Sequence, residues 1–280
     1  MDQAKIKELK KISIDIKLGA VEAVYSAGSG HPGGSLSITD ILAYLYFVEM
    51  NIDPKNPQWT ERDRFVLSKG HCTPGLYSVL ALRGYFPRED LKTFRKIDSY
   101  LQGHPEMKNT PGVDMTTGSL GLGISAACGM AKAAKYCGKD FRIYAMMGDG
   151  ELGEGQCWEA ALFAAHFGLD NLCAFVDLNG LQIDGTTEEV LNTASIADKF
   201  RAFNWNVIEI DGHDFRAIKA AVDLSKQTKG KPTMIVAKTV KGNGVSYMED
   251  SVGWHGKAPN AEEYAQAVKE LEAAKAELDN

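Results

Sequence analysis

The sequence predicts an α/β fold, a doubly wound, mostly parallel sheet with helices on both faces. Two observations carry this. At least four short segments are near-continuous apolar runs, as strands covered on both faces must be. Helical patterns alternate with them, as the crossovers between parallel strands require. The chain has 280 residues, 44% of them apolar and 24% charged, enough for one large core. No linker or composition break divides it, so a single domain over 1–280 is expected.

The elements follow in order. Residues 5–27 place Ile6, Leu9, Ile12, Ile16, Leu18, Val21 and Val24 on roughly one helical stripe, stopped near Gly28. A Gly-rich turn, GSGHPGGS, leads to a second apolar helix from about Ser37 to Val48, with Ser37 and Asp40 as its capping residues. RFVLS (64–68) reads as a strand and 74–84 as a helix. Pro87 and the acids after it suit the start of a helix over 87–96. An Ala-rich helix is expected over 119–138, a buried strand over 141–148, a helix over 155–168 and a strand over 171–179. SIADKFRAF, WNVIEID, DFRAIKAAVDLSKQ and PTMIVAKTV then read as helix, strand, helix and strand, and the tail from Ala261 as an amphipathic helix. Residues 241–260 form the longest expected irregular stretch, and loops of that length are usually functional.

Several classes are excluded. A net charge of −6 leaves no basic excess for nucleic acid. No apolar run is long enough to span a membrane, and the charged N-terminus is not followed by a signal-peptide core. The five cysteines are irregularly spaced and form no zinc-type pair. A reducing cytoplasm is the expected compartment.

GSGHPG (28–33) matches GxGxxG, but a helical stripe precedes it where a dinucleotide site needs a strand. A plain Gly-rich turn leaves His31 unexplained. GDGELGEG (148–155) is more informative, because it lies between an apolar strand and a helix, at the sheet edge where α/β proteins bind ligands. Its glycines let backbone N–H groups approach a phosphate, and Asp149 offers a hard oxygen ligand. GDG alone is also compatible with an ordinary turn. The next strand ends at Asn179, so two successive strand ends carry oxygen ligands that can share one cation. Mg²⁺ takes about six oxygens, few of them from protein. Asp149, the Asn179 amide and one backbone carbonyl leave room for phosphate and water. GDG followed about thirty residues later by Asn at the next strand end resembles the signature of thiamine diphosphate-binding proteins.

SGHPGGSLS (29–37), SKGHCTPGLY (68–77), GHPE (103–106), TTGSLGLG (116–123), GDGELGEG, NGLQIDG (179–185), DGHD (211–214) and WHG (254–256) occur in this order. Together they resemble the N-terminal, diphosphate-binding half of transketolase over essentially the whole chain. The resemblance implies ketol transfer between sugar phosphates, of the kind found in the pentose phosphate pathway. It implies thiamine diphosphate and magnesium, or calcium or manganese in its place. Asp149, Asn179 and the Leu181 carbonyl would hold the metal. Gly150 would contact the diphosphate, and Gly118, Ser119 and Leu120 the aminopyrimidine. Of six histidines, five lie in these blocks, and the resemblance gives four of them, His31, His71, His104 and His255, places in the site. A lone histidine is more often structural than catalytic, but imidazoles suit proton transfer near neutral pH. The resemblance places His71 and His255 at the diphosphate, and His31, His104 and His255 at the substrate as catalytic groups. His166 and the His213 of DGHD are read as structural.

Two departures stand out: Gly180 follows Asn179 where relatives often have a polar residue, and Asn243 stands in a loop that is often more basic. Glu154 matches an acid at the family's subunit interface and is equally an ordinary acid of a helix first turn. Ala160, Ala161, Ala164 and Ala165 permit close helix approach, either to another chain or within the core. A C-terminal partner subunit carrying the pyrimidine-binding domain is expected, in a heterotetramer of two plus two chains, with the lone chain inactive. Half of another thiamine diphosphate enzyme, of 2-oxo acid dehydrogenase or deoxyxylulose phosphate synthase type, is an alternative. A non-catalytic binding module is another.

Overall fold

The computed structural model describes residues 1–279. Helix α1 (Gln3–Ala27) starts on Asp2, whose carboxylate accepts from Lys5 N–H at 2.8 Å, and ends on Gly28 at φ 61°. The expected helix from Ser37 is two shorter ones, α2 (Pro32–Leu36) and α3 (Thr39–Tyr44), the latter widening into a π-turn over Leu45–Glu49. Neither expected cap serves as one. Ser37 Oγ donates to Asp177 Oδ2 at 2.8 Å and Asp40 pairs with His213, because both side chains turn inward to a buried polar layer. The helix starts early because Pro32 stands at its first turn.

Strand β1 (Arg64–Leu67) is followed by α4 (Thr73–Arg83). Residues 88–93 form only a 3₁₀ segment, and the chain then runs without helix or strand to α5 (Leu122–Tyr136). That stretch, not 241–260, is the longest irregular one. Strand β2 (Ile143–Gly148), helix α6 (Gly155–His166) and strand β3 (Leu172–Leu178) come next. A small hairpin, β4 (Leu181–Gln182) and β5 (Gly185–Thr186), leads to α7 (Thr187–Leu191) and α8 (Ile196–Ala202). Strand β6 (Asn206–Asp211), α9 (Phe215–Gln227), β7 (Thr233–Lys238) and α10 (Ala261–Glu277) complete the chain.

Five strands form one wholly parallel sheet in the order β1-β2-β3-β7-β6. Strand alternation divides the core. Met146, Phe175 and Ile235 stand in register and face the layer of α1, α3, α4 and α9. Ala145, Ala174 and Met234 face the layer of α5, α6 and α8. Ala160, Ala161 and Ala164 of α6 are buried in this second layer, so the small-residue stripe is core packing. The opposite face of α6 exposes Leu162 and Phe163, with Phe167 beyond its end. With all strands parallel, β1, β2, β3 and β7 deliver their C-terminal ends to one edge.

Candidate active site

That edge holds a cavity of about 390 Å³. His31, His71, His104, Gly118, Leu120, Asp149, Gly150, Asn179, Leu181 and His255 all line it. These are the residues that the sequence placed in the site, except for Ser119, which does not line it. Lys69, Glu151, Gln182, Ile183 and Lys241 also line the cavity and were not anticipated. Lys69 and Lys241 stand within matched or adjacent loops beyond the ends of β1 and β7, and their position there was the available signal.

Asp149 follows β2 and is 2% exposed. Its two oxygens accept from Gly150 N–H at 2.8 Å and Gly180 N–H at 2.5 Å. Gly180 has φ 75°, a left-handed conformation that costs glycine little, which accounts for the departure noted at this position. Burial, with Asp177 nearby, raises the Asp149 pKa to about 6, against the pull of the two N–H groups and Lys69. The carboxylate therefore occupies a place where a cation would relieve it.

Asp177, at the end of β3, orients Asn179. Its Oδ2 accepts from Asn179 Nδ2 at 2.6 Å and from Lys69 Nζ at 2.7 Å, and its Oδ1 accepts from Thr239. With its NH₂ so engaged, Asn179 turns its amide oxygen the other way, where it accepts from Leu181 N–H at 3.1 Å. Asp149, Asn179 and Leu181 line the same cavity and offer one carboxylate and two neutral oxygens, donor chemistry that Mg²⁺ accepts together with phosphate and water. The residues present thus fit a magnesium–diphosphate group. Glu151 braces this floor, accepting from Ser68 Oγ at 2.5 Å, Gly121 N–H at 2.9 Å and Gly148 N–H at 3.0 Å.

Lys241 is 1% exposed, and its ammonium meets the Leu181 carbonyl at 2.9 Å and His255 Nδ1 at 2.9 Å. Among the described residues it makes no ion pair. Burial and then the Lys69 charge push its pKa down from the ordinary lysine value. Gly33 makes the room: a Cβ there would come within 3.1 Å of Lys241 Cγ and 2.9 Å of the Trp254 carbonyl.

Three imidazoles meet over this end, with ring centres of His31, His71 and His255 5.0–5.5 Å apart. Burial and neighbouring charge hold His31 and His71 down to about 4 and His255 to about 3. Burial and Arg95 also lower His104, whose ring packs on Gly118. All four are neutral imidazoles near neutral pH, able to accept or donate one proton each. His31 Nδ1 is buried without a partner. His166 lies at the end of α6 against Phe167, outside the cavity. Asn243 is also outside it and receives the Lys17 ammonium.

Residues 9–277 match the family model described as transketolase, thiamine diphosphate binding domain. The chain is 50% identical over 252 residues to the 6-deoxy-6-sulfo-D-fructose transketolase subunit SqwG of Clostridium sp. (strain MSTE9), covering 90% of this chain and 92% of that one. It is 45% identical to an apulose-4-phosphate transketolase subunit of Phocaeicola vulgatus, covering 90% and 89%. Among solved structures, the transketolase of Campylobacter jejuni superposes with a TM-score of 0.88 at 34% identity, over 97% of this chain but 45% of that one. A Pichia stipitis transketolase in complex with sedoheptulose 7-phosphate gives 0.88 at 36% identity, over 96% and 44%. The chain thus spans less than half of these solved transketolases and about nine-tenths of the separate subunits. It belongs to the transketolase family, as a subunit that carries the thiamine diphosphate-binding domain and serves ketol transfer.

Proposed function

We propose that this chain binds the diphosphate end of thiamine diphosphate through a magnesium ion, and completes its active site with a second subunit that supplies the pyrimidine-binding domain. The observation that carries this is one cavity holding both an unpaired buried ammonium, Lys241, and a carboxylate with a raised pKa, Asp149. A buried charge without a partner costs several kcal/mol, and an anion with its divalent cation would relieve both. Asp149, Asn179 and the Leu181 carbonyl would hold the metal, and Gly150 and His71 would face the diphosphate. Gly118 and Leu120 would face the aminopyrimidine through backbone atoms.

When bound, thiamine diphosphate supplies the nucleophilic carbon that carries the two-carbon unit. His31, His255 and His104 act on the sugar. As neutral imidazoles they take a proton from a donor hydroxyl and return it to an acceptor carbonyl oxygen without first losing a charge. The related subunits are named for a sulfonated ketose and a phosphorylated one, which favours a ketose donor with an anionic end. The exposed Leu162, Phe163 and Phe167 on and beyond α6 support a partner on that face, and two copies of each chain would close the sites with two-fold symmetry. No helix among the described residues is long and apolar enough to cross a membrane.

The test is ketose-to-aldose transfer by the purified chain with thiamine diphosphate and MgCl₂, with and without the partner. Transfer only in the mixture is expected, and robust transfer by the rigorously partner-free chain would overturn the two-subunit reading.

A further inference from the structure

His213 does not line the cavity, yet it is bonded to the loop that supplies Lys241. It stands in the turn between β6 and α9. Its Nδ1 lies 2.7 Å from Asp40 Oδ2 on α3, and its Nε2 lies 2.9 Å from Val240 N. A backbone N–H only donates, so Nε2 accepts and Nδ1 carries the proton to Asp40. The two bonds fix one neutral tautomer. Asp40 is 7% exposed and lies near the buried Lys17 of α1, which bonds Asn243. The loop is therefore gripped at Val240 and again at Asn243, on either side of Lys241. Gly242 N–H adds a bond of 2.9 Å to the Gly33 carbonyl.

We propose that His213, backed by Asp40, is a positioning residue that sets the direction in which Lys241 enters the diphosphate end of the cavity. An ordinary turn histidine would need neither a buried carboxylate on one nitrogen nor a loop amide on the other. The position of Val240 also matters to Lys241 directly, since adjacent residues share a peptide plane. A lysine held on a carbonyl and an imidazole, with no carboxylate in hydrogen-bond reach among the described residues, depends on its backbone for its aim. The inference rests on the reading of Lys241 as the contact for an anionic diphosphate.

The experiment is calorimetric titration of thiamine diphosphate with MgCl₂ into the full chain in complex with its partner subunit. It is repeated with inorganic diphosphate, which probes the diphosphate end alone. Lys241→Met should weaken both by about 10- to 100-fold, as loss of a charged hydrogen bond does. His213→Asn keeps a donor for Asp40 but is too short to reach Val240. It should weaken both by about 5- to 30-fold and speed deuterium uptake over 239–244. His213→Gln, which offers an oxygen where Nε2 was, should restore affinity to within about threefold. In a Lys241→Met background His213→Asn should add nothing, because the residue acts through Lys241. Wild-type affinity in Lys241→Met would overturn the reading of Lys241 on which this rests. Weakened binding in Lys241→Met with wild-type binding in His213→Asn overturns the positioning role alone. So does a His213→Asn effect that persists in full without Lys241, or one that His213→Gln fails to rescue.

Discussion

The two buried lysines of the cavity sit in opposite situations. Lys69 is 2% exposed and paired with Asp177 at 2.7 Å, and Ser37, Thr239 and Asn179 take up the rest of that carboxylate. Lys241 is equally buried and, among the described residues, bonds only a carbonyl and an imidazole. The first is a closed network that holds strand ends together. The second is an open one that an anion would complete. Burial alone does not tell scaffold from site, whereas the balance of charge around the buried group does.

The strongest way to sharpen this contrast is at Asp149. Asp149→Asn removes the one carboxylate of the oxygen set. It should weaken magnesium-dependent binding of thiamine diphosphate by more than the 10- to 100-fold typical of an outer-shell partner. The thermal midpoint should stay within a few degrees of wild type, because the carboxylate lost was held above its ordinary pKa. Calorimetry and a melting curve on the same sample check both halves.

His31→Ala and His104→Ala should each lower ketol transfer by about 10²–10⁴-fold with cofactor affinity kept, whereas His71→Ala should act on that affinity. Steady-state kinetics at several cofactor concentrations separates the two patterns.

The lysines themselves give the direct comparison. Lys69→Met leaves Asp177 buried and unpaired and should cost about 3–5 kcal/mol in urea unfolding. Lys241→Met should leave the stability of the cofactor-free chain unchanged or higher, since it removes a buried charge that had no counter-ion. A comparable loss in both variants would erase the distinction.

The smallest effect is in the acid limb of stability. His31 and His71 titrate near 4 and His255 near 3 when folded, against about 6.5 unfolded. Between these values the unfolded chain binds more protons, so stability is lost as the pH falls below about 6.5. Asp149, raised to about 6, contributes a slope of the opposite sign. The difference between wild type and His71→Gln or His255→Gln is therefore the measure, and each variant should show a shallower fall in thermal midpoint on acidification.

Much of this was legible in the chain itself. The strands at 141–148 and 171–179 were readable because a strand covered on both faces must be apolar throughout, and that pattern survives in one dimension. Asp149 and Asn179 were readable because strand ends in a parallel sheet share an edge. Ser37 and Asp40 misled because a capping signal is local, while both side chains answer to partners far along the chain, Asp177 and His213. The segment 87–96 misled for a related reason: Pro and acids can start a helix, but they do not supply the buried face that prolongs one.

The sequence by itself determined the α/β architecture, because that rests on periodicity, and its resemblance to a known family singled out Asp149, Asn179 and the four loop histidines that the fold brings to one cavity. Only the tertiary structure decided which charges are paired. Lys69 and Lys241 look alike as letters beside glycine-rich loops. Asp177 stands within hydrogen-bond reach of Lys69 and not of Lys241, and a counter-ion is a matter of a few ångströms across the fold, which spacing along the chain does not encode.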